Sequence, residues 1–147
     1  MRDMLSNKQV VHLGNLTLSG VTPAASAWVD TRGFDACTIV LVNNTITDAG
    51  TADGFTVTMQ HSDTTAAADA AAVVAADSVD GNISVQVTAD ASDDALGGGL
   101  GYKGSKRYVR FNAVGTTGTD ADVSVVAILN KPHRAETTFT GTKVAAT

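Results

Sequence analysis

Three places in the 147-residue chain hold residue types that could do chemistry. His61, Ser62 and Asp63 supply, side by side, the base, hydroxyl and carboxylate of a hydrolytic triad. A working triad brings side chains together from separate elements, so three consecutive residues cannot line up as nucleophile, base and orienter. Gly99-Leu100-Gly101-Tyr102-Lys103-Gly104 matches G-x-G-x-x-G. That motif cradles a phosphate where it follows a strand and opens a helix, because the helix N-terminus faces the anion. Here it opens a β-forming run containing Tyr108, Val109 and Phe111. The acidic stretches 77–82 and 90–94 offer oxygen ligands for a structural calcium, without the ligand order and closing glutamate of an EF-hand. His12, His61 and His133 form no ligand pair by spacing, and Glu136 is the one glutamate, so paired carboxylates would have to come from loop aspartates. These residues point away from an enzyme and away from any cofactor beyond that calcium.

The stretch 102–114 carries a different kind of chemistry. It holds both tyrosines, Tyr102 and Tyr108, and four of the ten basic residues, Lys103, Lys106, Arg107 and Arg110. With period-two alternation, Val109, Phe111 and Ala113 point to one side while Tyr108, Arg110 and Asn112 point to the other. Such a strand packs a core and presents long polar and aromatic groups outward. Arginine and tyrosine are the usual anchors of protein interfaces, and Trp28 is a further candidate near the early turns. Charge and rings also suit nucleic acid. Against that, the net charge is −5, whereas a nucleic-acid binder carries a broad basic footprint. Ten aspartates and no lysine or arginine lie between Gly33 and Tyr102, so one acidic, solvated side and one small basic contact patch are expected.

The elements that must position these groups are strands. Alternation is cleanest over 55–61, with Phe55, Val57 and Met59 inward and Thr56, Thr58 and Gln60 outward. Residues 36–43 and 122–129 are apolar on both faces, as central strands are. Shorter strands are expected over 9–13, 16–21, 28–30, 73–75 and 83–88, with a turn at Gly14-Asn15 and a hairpin-like loop over 115–120. The alanine-rich segment 64–76 has too few large apolar residues to bury a helix and reads as a loop with at most one helical turn. Gly97 to Gly101 reads as an extended connector. Cys37 lies in an apolar run and reads as a small buried hydrophobe. No apolar run reaches membrane-spanning length, and the N-terminus has no signal-peptide core.

Together these give an all-β chain, an antiparallel β-sandwich of jelly-roll or Greek-key type over residues 1–130. Residues 131–147 read as an extended C-terminal arm, in which His133, Arg134 and Phe139 are candidate contacts with a neighbour.

Four short runs, in this order and spacing, carry a resemblance. They are Met1-Arg2-Asp3-Met4, Gln60-His61-Ser62-Asp63, the run from Gly104-Ser105-Lys106-Arg107 through Tyr108-Val109-Arg110, and Asn130-Lys131-Pro132-His133-Arg134-Ala135. Over residues 1–135 the chain resembles the small head decoration, or capsid cement, proteins of tailed bacteriophages and prophages. It departs from them in the alanine- and aspartate-rich segment 64–94 and in residues 136–147. The resemblance implies a non-enzymatic virion protein, made in the bacterial host cytoplasm and bound to the outer surface of the capsid. Its partners would be the major capsid protein and further copies of itself, as a homotrimer. Two other readings stay open: a tail-tube, tail-terminator or head–tail connector ring protein, and a carbohydrate- or receptor-binding module on the virion.

Overall fold

A computed structural model describes residues 8–51, 54–90 and 96–132. Two antiparallel sheets share one hydrophobic core. The first is built on β4 (Phe34–Asp48) and β10 (Asp120–Pro132), paired through Ile39↔Ala127 and Leu41↔Val125. Their inward residues Ile39, Leu41, Val123, Val125 and Ala127 are fully buried. The outward Val40, Val42, Val126 and Ile128 remain half-buried, which is why the sequence reads as apolar on both faces. β1 (Lys8–Ser19) flanks β10 and β8 (Leu96–Tyr102) flanks β4, giving the order β1-β10-β4-β8.

The second sheet is centred on β5 (Phe55–Ser62) and β9 (Tyr108–Val114). β2 (Ala24–Ala25) and β3 (Val29–Asp30) both pair with β9, and β6 (Ala71–Ala72) and β7 (Ser84–Val87) both pair with β5. Phe55, Val57 and Met59 on β5 and Val109, Phe111 and Ala113 on β9 are buried completely. Their alternate neighbours form the outer face of this sheet.

Four expectations are corrected. The two early strands are one, because Gly14, at φ +114°, takes up a register shift against β10 where a turn was expected. β4 likewise runs on through Asn44 to Asp48, past the expected strand end at residue 43. The glycine-rich connector is strand β8, and its missing side chains have a packing reason. A Cβ on Gly98 would sit 2.9 Å from the Val85 side chain, and one on Gly101 2.6 Å from Val79. The loop over 115–120 is not a hairpin, since it carries the chain from β9 in one sheet to β10 in the other. Segment 64–76 contains single 3-10 turns at Ala67–Asp69 and from Ala75, and Val73 is its one deeply buried side chain.

The stretch 102–114 therefore divides. Tyr102 ends β8 in the first sheet, residues 103–107 cross over, and Tyr108 opens β9 in the second.

Candidate functional site

Antiparallel register puts Arg110 of β9 opposite Gln60 of β5, Tyr108 opposite Ser62, and Asn112 opposite Thr58. On the other flank Asp30 of β3 lies opposite Tyr108. Trp28, between β2 and β3, is thereby brought beside Arg110, whose guanidinium carbon lies 4.3 Å from the indole ring centroid. Arg110 Nε donates to Gln60 Oε1 at 2.9 Å. The guanidinium is held by the indole ring and the Gln60 amide, and partial burial lowers its pKa from the ordinary arginine value.

Two neighbouring cations are neutralised. Arg107 forms a two-point contact with Asp30, Nε at 3.1 Å and the terminal nitrogen at 2.6 Å. The hydrogen bond to Asp30 raises the Arg107 pKa further. The same guanidinium lies 4.7 Å from the Tyr108 ring centroid. Lys106 is ion-paired to Asp63. Lys103 is exposed, and its backbone N–H donates to Asp77 C=O at 2.8 Å, tying the crossover to the acidic loop.

Tyr102 is not a surface residue, which corrects its place among the contact candidates. It is 3% exposed, with its hydroxyl 3.1 Å from His61 Nδ1 and accepting the Lys106 backbone N–H at 2.9 Å. The two rings meet edge to face at 5.7 Å. This contact joins β8 of one sheet to β5 of the other. Burial pushes the Tyr102 phenol upward, the Lys106 hydrogen bond opposes that, and the nearby Asp77 and Asp63 add to it. His133, Arg134 and Phe139 lie outside the described residues.

The hydrolytic residue types do not assemble. A shallow cleft of about 310 Å³ is lined by His61, Ser62, Asp63, Thr64, Asp69, Ala71 and Lys106. Within it His61 Nδ1 faces Tyr102, Ser62 Oγ accepts the Thr64 backbone N–H at 3.0 Å, and Asp63 holds Lys106. No contact there joins a nucleophile to a base. Asp90 accepts the Ala49 N–H at 2.8 Å, and Ser78 Oγ donates to Asn82 C=O at 2.5 Å within the first acidic turn. Residues 91–94 of the second acidic stretch lie outside the described residues. Among the described residues no group of three or more His, Cys, Asp or Glu side chains could hold a metal ion. No helix among them is long and apolar enough to cross a membrane.

Asp30, Gln60 and Asp63 are the partners of Arg107, Arg110 and Lys106, a role that sequence reasoning did not give them. Alternation over β5 places Gln60 outward, but only the β5–β9 register puts it against Arg110, fifty residues on.

No protein-family model matches the chain, and no curated protein matches it. Among solved structures the fold is similar to that of the PBSX exported protein XepA, with a TM-score of 0.51 and 14% sequence identity. The match covers 94% of this chain and 42% of that one, so the chain spans less than half the length of that protein.

Proposed function

We propose that this chain is a non-enzymatic structural protein of a tailed-phage virion. On this reading it binds the outside of the capsid through the outer face of the β5–β9 sheet and stabilises the shell by bridging capsomers. The observation that carries the reading is Arg110, the one lysine or arginine on β5 and β9, which lies over Trp28 at the centre of a pre-formed sheet and has no carboxylate partner among the described residues. Rigid aromatic and arginine anchors on a flat surface are what a protein–protein contact uses. The likeness to a protein of PBSX, a prophage, supports a phage-related role in general. The resemblance to head decoration proteins supports the capsid in particular, and with it a homotrimer over the shell.

Strand order supports a jelly-roll reading of the fold. Taking β2 with β3, and β6 with β7, as single broken strands leaves eight. In order along the chain these run 1-8-3-6 in one sheet and 2-7-4-5 in the other. Successive strands of these eight change sheet at every step except from the fourth to the fifth, which pair with each other in one sheet, as in two interlocked Greek keys.

The test is occupancy on the particle. Arg110→Glu should leave the protein folded and strongly reduce the copies bound per purified particle, while Arg107→Glu, whose wild-type charge is already neutralised by Asp30, should reduce them less. Normal occupancy of the Arg110 variant would remove this face from the contact.

A ring protein of the tail or neck is favoured by a different feature. β1 is twelve residues long and pairs with β10 on one side. On its other side, among the described residues, one backbone hydrogen bond joins it to another segment, Ala27 N–H to Leu13 C=O. Long open edges accept strands from neighbouring chains. Five- or six-fold rings of the purified protein would favour that reading over the shell.

A further inference from the structure

We propose that the Trp28–Arg110 site binds a single carboxylate side chain in an acidic segment of the partner protein. The inference rests on the docking face proposed above and specifies what that face recognises.

The site is made of donors. Gln60 Oε1 engages the Nε of Arg110, and the two terminal nitrogens of the guanidinium have no partner among the described residues. The indole N–H of Trp28 and the hydroxyl of Tyr108 likewise have none, and both belong to the same outer face. A planar guanidinium with both outer nitrogens open matches the two oxygens of a carboxylate, and partial desolvation strengthens such a bidentate pair. Stacking on Trp28 and the bond to Gln60 fix the fork before the partner arrives, so little side-chain entropy is lost on binding.

The surroundings exclude a polyanion. A phosphate backbone gains affinity by neutralising many charges at once. Here Arg107 is taken by Asp30 and Lys106 by Asp63, so a nucleic-acid strand crossing the face would meet two carboxylates beside Arg110. A lone aspartate or glutamate fits that pattern, and an extended polyphosphate does not.

Trp28 is the only tryptophan, so its fluorescence reports on the site directly. Wild-type protein would be titrated with a hexa-aspartate peptide and, separately, with inorganic polyphosphate of matched charge, at low salt. The expected result is a saturable change in emission with the peptide. Affinity should be weakened about tenfold or more in Arg110→Gln and changed by less than about twofold in Arg107→Gln. Arg110→Lys, which keeps the charge but loses the fork, should also bind weakly. Equal peptide binding by wild type and Arg110→Gln would overturn the proposal, as would tighter binding of polyphosphate than of the peptide. Sedimentation of both proteins without peptide tests the remaining occupant: a wild-type oligomer that dissociates in Arg110→Gln would assign the site to a second copy and overturn the proposal. Failure of the peptide while Arg110→Glu still lowers particle occupancy would overturn the carboxylate alone and leave the docking face standing. Peptide binding by a protein absent from particles would do the reverse.

Discussion

The guanidinium of Arg110 lies 4.3 Å from the centre of the Trp28 ring, across the boundary between β9 and the link joining β2 to β3. Eighty-two positions separate the two residues, and the sheet alone brings them together. Since Trp28 and Arg110 are each half-buried, the pair contributes about 0.5–1 kcal/mol to folding. Arg110→Ala should therefore lower stability only slightly in urea denaturation while shifting the Trp28 emission. A loss of several kcal/mol would mean that the arginine is a folding element and not a contact residue.

The Tyr102 hydroxyl holds the Lys106 N–H and faces His61, joining the sheets at one end. Tyr102→Phe leaves both groups without that partner in a buried setting, at a cost of about 1–3 kcal/mol. The urea midpoint should fall with an unchanged slope. An unchanged midpoint would show that the contact does not latch the sheets.

Much of this was legible beforehand, and the reason is the two-residue period. Val57, Met59, Val109 and Phe111 alternate with polar residues, so their burial follows from strand geometry alone. Tyr102 went the other way because neighbouring basic residues made it look like part of a surface strand. The chain instead changes sheets between Tyr102 and Tyr108, and nothing local marks that crossing. β8 was hidden for a related reason. Glycines look like a connector until the packing of Val85 and Val79 against them is known. Which cations are free was not legible either, since Asp30 and Asp63 reach Arg107 and Lys106 only through register.

Phe111 is fully buried between the sheets, and Phe111→Ala should cost about 3–5 kcal/mol through lost transfer energy and the cavity left behind. The same measurement on Val114→Ala, 37% exposed at the end of the strand, should give a much smaller change. Equal effects would contradict the core assignment.

Burial pushes the Cys37 thiol from its ordinary 9.0 up to about 12. A folded value raised above the unfolded one gives stability that is fully present below the unfolded value and lost as pH climbs toward the folded one. Stability should therefore fall between about pH 9 and about pH 12, with a slope from this thiol approaching about 1.4 kcal/mol per pH unit. Tyr102, also raised by burial, acts in the same direction at higher pH. Urea midpoints at about pH 8 and about pH 10.5 should differ less in Cys37→Ala than in wild type. An equal difference in the two proteins would show that the thiol is not the titrating group.

The central claim is that this sandwich is part of a virion shell and meets it through the Arg110 face. Cryo-electron microscopy of the native particle tests it most directly. The account predicts trimers on the outer capsid surface with the β5–β9 sheet turned to a capsomer seam. Rings at the neck or tail, or capsid-bound copies with Arg110 and Trp28 facing solvent, would contradict it.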